Sequence, residues 1–294
     1  MSDASARFDP SAESEAFGYP RSAVAADLAA IAVVGVVLVA VQVLLPAATH
    51  DRLAFDHAAF APETLFTAAY VHAGTDHLLS NLGGYVSLSL VTYLVCLHAD
   101  RRAWFHRTFP ALLVVLPVAV NLTSYVILET RFPGASPVSR GFSGVVAGFG
   151  GFLLVAVAVH LRRSYSRETV FFVVQFAVLL LLGELLWIYA ARVTLLEGAA
   201  VTGGLALAVS GIVSRARGRT FGDDHYRQVG LDLLYVGLVL ALLVWLIYGL
   251  FPADPVDHGR FTNVFAHGAG FVEGGLLAAF AFVAFRPRAG NRFE

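Results

Sequence analysis

Ser143 stands among glycines in Gly141-Phe142-Ser143-Gly144, where a long apolar run begins. A hydroxyl is a weak nucleophile at its free pKa, so catalysis from such a serine needs a general base within about 3 Å and donors aimed at a developing oxyanion. Two other stretches carry groups suited to those roles. Ala266-His267-Gly268-Ala269-Gly270-Phe271-Val272-Glu273-Gly274 sets an imidazole near the start of the last apolar run, and His72-Ala73-Gly74-Thr75-Asp76-His77-Leu78-Leu79-Ser80-Asn81 sets two imidazoles and a carboxamide near the start of the second. A spacing of four puts His77 and Asn81 on one helical face, where two stacked donors suit an oxyanion. Capping of a helix start is the plainer role for the same pair. His72 lies about 140° from His77 if the helix is extended back to it, so it belongs to the loop before that helix. A metal site built from His72, His77 and His267 is disfavoured, because their spacing lacks the cofacial i, i+4 pair of HExxH helices. No cofactor or metal is expected.

The elements that must position these groups are membrane spans. Hydrophobic residues make up 57% of the chain and charged residues 14%, with a mean hydropathy of +0.71. That composition belongs to an all-α polytopic membrane protein. Runs of about 20 apolar residues cross roughly 30 Å of hydrocarbon, and eight are expected, at 23–45, 76–97, 109–128, 143–161, 170–190, 197–213, 229–250 and 264–285. Residues 1–22 read as a mobile cytoplasmic tail, 286–294 as a second one, and 23–45 as an uncleaved signal anchor.

Orientation follows from arginine. The chain has no lysine, and 15 of its 20 basic residues fall on the side that would hold both termini, leaving Arg52, Arg131, Arg140, Arg192 and Arg260 on the other. The bias predicts a multi-pass protein of the cell membrane with both termini in the cytoplasm. The second, fourth and eighth spans then run in one direction, and His77, Asn81, Ser143 and His267 lie within about six residues of their outer ends, roughly 9 Å of depth. Polar residues gathered at one membrane depth mark a functional site by default.

Small residues accompany both reactive groups. Ala147, Gly150 and Gly151 share the helical face of Ser143, and Gly270 and Gly274 lie near that of His267, so both spans present surfaces that allow close backbone approach. Asn121, Ser124 and Tyr125 suit interhelical hydrogen bonds. Cys96, the single cysteine, excludes an intrachain disulfide. Glu184 is costly in lipid and needs a partner or cavity, while Glu273, about 120° around from His267, is poorly placed to orient it. The connection 46–75, with Phe55, Phe60 and Phe66, either walls the site or joins two spans loosely. No strand pattern surrounds Ser143, against a hydrolase nucleophile elbow. No repeat is visible and the polar groups lie away from the midplane, against a transporter. The inner arginines are topology determinants, so no nucleic acid is expected as a partner.

Together, Gly-x-Ser-Gly at 141–144, Ala-His-x-x-Gly-x-x-x-Gly at 266–274 and His-x4-His-x3-Asn at 72–81 resemble the signature set of the rhomboid intramembrane serine proteases. The resemblance covers about 72–285. It implies a rhomboid-like transmembrane domain over 23–285 with a Ser143/His267 dyad. It also implies an oxyanion hole from the Ser143 N–H with His77 and Asn81, support from His72, Gly141, Gly144, Gly270 and Gly274, and a transmembrane segment of another membrane protein as substrate, cleaved near its outer end. The chain departs from that pattern in three places. Ala147 stands where an aromatic often packs on the histidine, Arg52 has no neighbouring Trp, and three spans rather than one separate the serine and histidine helices, two of them inserted within about 162–228. A catalytically inactive relative that binds transmembrane clients is the alternative, and Ala147 is its basis.

Overall fold

A computed structural model describes residues 15–133, 137–216, 223–257 and 260–285. Among them are ten α-helices: α1 (Arg21–Leu44), α2 (Ala47–Leu53), α3 (Thr64–Thr67), α4 (Thr75–His98), α5 (Arg102–Arg131), α6 (Ser143–Leu161), α7 (Arg167–Tyr189), α8 (Leu195–Ala216), α9 (Asp223–Leu250) and α10 (Val264–Ala284). Eight are long and apolar enough to cross a membrane, all but α2 and α3. The strands are three two-residue antiparallel pairs: β1 (Glu15–Ala16) with β2 (Tyr19–Pro20), β3 (Phe55–Asp56) with β4 (Val138–Ser139), and β5 (Val256–Asp257) with β6 (Arg260–Phe261). The chain is thus an all-α polytopic bundle.

The first helix begins at Arg21, and the expected tail is ordered over its last part, where the β1–β2 turn docks through Tyr19 Oη donating to Asp100 Oδ1 at 2.8 Å. The tail predicted for 1–22 otherwise falls on residues 1–14, and that for 286–294 falls wholly, outside the described residues. The connection 46–75 is built rather than loose. It folds into α2, β3 and α3, and β3 pairs with the strand leading to Ser143.

Helix α6 is the axis of the bundle: 72% of its span is buried within the protein, against 6% for α8, which packs on α7 as a peripheral hairpin. Glycine makes that burial possible. A Cβ on Gly270 would strike the Gly144 carbonyl, one on Gly274 the Gly148 backbone, and one on Gly151 the Phe271 carbonyl, so α6 and α10 touch backbone to backbone. The seam on α6 runs through Gly144, Gly148 and Gly151, so Gly151 of the expected face lies in it, while Gly150 meets the side chains of Leu246 and Phe271.

At the opposite end a buried carboxylate ties three spans. Asp27 of α1 accepts from Tyr93 of α4 at 2.6 Å, from Arg102 of α5 at 2.6 and 3.0 Å, and from His106 at 2.8 Å. A buried charge is tolerable when its lone pairs are met by opposite charge and hydroxyl donors. Trp104 Nε1 donates to the Ala278 carbonyl at 2.9 Å and so joins α5 to α10.

Gly274→Val is expected to destabilise the protein by about 1–3 kcal/mol through overpacking. Gly268→Ala, whose Cβ would enter open space, should stay within about 0.5 kcal/mol. Unfolding of the detergent-solubilised variants followed by circular dichroism distinguishes the two.

Candidate active site

A cavity of about 810 Å³ opens where α4, α6 and α10 begin, lined by His77, Asn81, Gly141, Ser143 and His267 together with Leu250 and Asn263. Ser143 is the first residue of α6, so its N–H belongs to the first turn, which has no intrahelical acceptor. The approach to it depends on Gly141, at φ +118°, where a Cβ would sit 2.5 Å from His77 Cε1 and 3.2 Å from Asn81 Nδ2. Only a residue without a side chain adopts that backbone and lets it pass this close to both groups. The Gly141 N–H donates to the Ala68 carbonyl at 2.9 Å, pinning the turn to the connection before α4.

His267 lies in the first turn of α10, capped by Asn263, whose Oδ1 accepts from the Ala266 N–H at 3.1 Å. Its Nε2 is 2.8 Å from Ser143 Oγ, and its Nδ1 is 2.5 Å from the Leu250 carbonyl oxygen. A carbonyl can only accept, so Nδ1 carries the proton and donates, which leaves Nε2 to accept from the serine hydroxyl. That is the tautomer a general base requires. The ring beside the imidazole is that of Phe251, 5.9 Å away at 81°, edge to face.

The sequence-predicted donors divide by environment. Asn81 is buried, lines the cavity, and its Nδ2 has no partner among the described residues. An unpaired buried amide N–H₂ costs stability unless something else accepts from it. His77 lines the same cavity, with its ring 5.3 Å from that of His72. His72 lies in the loop before α4, buried, and its Nε2 accepts from the Phe142 N–H at 3.3 Å, bracing the residue before the serine. Burial, with smaller contributions from His77 and His50, pushes the His72 imidazole down from 6.5 to about 3. It is therefore neutral and an acceptor at ordinary pH, as the bond from Phe142 needs. Gly144, Gly270 and Gly274 lie in the α6–α10 seam. Glu273 accepts from Thr123 Oγ1 at 2.6 Å, away from the imidazole.

Asn263, Ser139 and His57 escaped the motif reading, whereas Ser124 makes an interhelical hydrogen bond of the kind expected of it. Asn263 Nδ2 donates to Ser124 Oγ at 2.6 Å and Ser139 Oγ at 2.9 Å, and Ser139 Oγ is 3.0 Å from His57 Nε2. One carboxamide thereby joins α10, α5, β4 and the loop after β3. An asparagine three residues before Ala266, just ahead of an apolar run, is a readable helix-start signal. Leu250 carries no signal at all, since it acts through its backbone. No family model matches this chain, and it has no match among curated proteins or solved structures.

The unfolded chain binds a proton at His72 between pH 6.5 and about 3 that the folded chain refuses, so this group lowers stability as pH falls through that window. His72→Gln should flatten the decline of the unfolding midpoint between about pH 7 and about pH 4. Parallel pH profiles for the two proteins would refute the assignment of His72 as a neutral acceptor.

Proposed function

We propose that this chain is a rhomboid-like intramembrane serine protease. The observation that carries the reading is the 2.8 Å contact between Ser143 Oγ and a His267 already held in the accepting tautomer, at the wall of a cavity into which the unpartnered Asn81 amide faces. Ser143 Oγ attacks the carbonyl carbon of a peptide bond while His267 Nε2 takes its proton. The oxyanion is received by the Ser143 N–H with the His77 and Asn81 side chains. The imidazolium returns the proton to the leaving amine, which departs and leaves an acyl-enzyme. Water, deprotonated by the same histidine, then releases the acid.

The substrate class is a transmembrane segment of another membrane protein, in a lipid bilayer, because the serine opens the first turn of a span-length apolar helix. The arginine bias puts the site toward the extracytoplasmic face and both termini in the cytoplasm. The client-binding alternative rests on Ala147, and the Phe251 ring against His267 supports the enzymatic reading over it.

A fluorophosphonate probe should label the wild-type protein and not Ser143→Ala. Purified protein should cleave a model transmembrane substrate, with Ser143→Ala and His267→Ala each reducing kcat by about a thousandfold or more. Asn81→Ala is expected to reduce kcat by about 10²-fold. Undiminished labelling of Ser143→Ala would remove this serine as the nucleophile.

A further inference from the structure

Among the described residues the His267 imidazole has no carboxylate partner: its Nδ1 meets the carbonyl oxygen of Leu250, the last residue of α9. The final carbonyls of a helix have no intrahelical donors and carry the negative end of its dipole. Such a group accepts from Nδ1–H, fixes the tautomer and favours the imidazolium, without the cost of a buried ionised acid. The next residue, Phe251, is buried, lays its ring edge-on to the imidazole, and also lies 6.5 Å from the ring of Tyr189, at 79°. Tyr189 is the last residue of α7.

The end of α9 is held from two directions. Leu243, Leu246 and Ile247 are buried along a helix that packs against α6 on one side and α7 on another. Three edge-on rings, Tyr189, Phe251 and His267, therefore connect the peripheral α7/α8 hairpin to the reacting pair.

We propose that the C-terminus of α9, through the Leu250 carbonyl and the Phe251 ring, is the positioning element of His267, and that the α7/α8 hairpin buttresses it through Tyr189. The kinetic part rests on the protease reading; the tautomer part does not. Leu250, Phe251 and Tyr189 are positioning residues, since none exchanges a proton with Ser143.

The test uses the full chain in lipid vesicles. Nitrogen-15 NMR of histidine-labelled protein, with the His267 signals assigned by their loss in His267→Gln, should show a single Nδ1–H tautomer in the wild type and in Ser143→Ala. In Phe251→Ala both tautomers should be populated. With a transmembrane substrate, Phe251→Ala should lower kcat about tenfold with KM within about twofold, Phe251→Tyr should restore it, and Tyr189→Ala should lower kcat about threefold. Phe251→Leu keeps apolar volume against misfolding and should behave like Phe251→Ala. An Nε2–H or mixed tautomer at His267 in the wild type overturns the proposal, as does wild-type turnover in Phe251→Leu. Cleavage that survives Ser143→Ala sinks the protease reading instead and leaves the tautomer result to stand by itself.

Discussion

The arrangement depends on two helix backbones touching. In lipid, apolar side chains gain nothing by leaving the solvent, because hydrocarbon tails are as apolar as leucine. Association rests on close van der Waals packing and on interhelical hydrogen bonds. Glycines 144, 148 and 151 of α6 meet Gly270, Phe271 and Gly274 of α10 with no side chain between them. Ser143 and His267 sit at the open end of that seam. A serine side chain reaches little more than one bond beyond its Cβ, so a 2.8 Å contact across two helices exists only because their axes are this close.

The second constraint is the cost of charge. An orienting carboxylate beside His267 would have to be buried in a low-dielectric bundle, where an ionised acid needs full compensation. Asp27, at the other end, shows what that compensation takes: two arginine contacts, a tyrosine hydroxyl and a histidine. The site avoids this by drawing on neutral dipoles. The Leu250 carbonyl holds Nδ1, the Asn263 carboxamide caps α10 and bonds two serines, and neutral His72 accepts from the Phe142 N–H.

The periphery also has a place in this picture. The α7/α8 hairpin covers little of the core, and α8 is almost wholly exposed on the bundle surface. Tyr189 of α7 lies near the Phe251 ring, which in turn lies near His267, and neither ring belongs to the helices bearing Ser143 and His267. The hairpin reaches the imidazole only indirectly, since the ring against His267 is that of Phe251, the residue after α9.

Span number, helical class and the gathering of His77, Asn81, Ser143 and His267 at one end were legible in the residues themselves. Apolar run length sets what can cross a bilayer, and parity of the intervening spans sets which ends lie together; neither requires knowing which helix neighbours which. Lateral placement was not legible, because hydropathy is the same on every side of a helix surrounded by lipid. The tertiary structure alone added Gly144 and Gly148 to Gly151 in the seam, folded the 46–75 connection into a wall, and brought Phe251 against His267. It also recruited the Leu250 carbonyl, a group every residue possesses and no residue type announces, so only the position of the helix end in space could make it the partner of the imidazole.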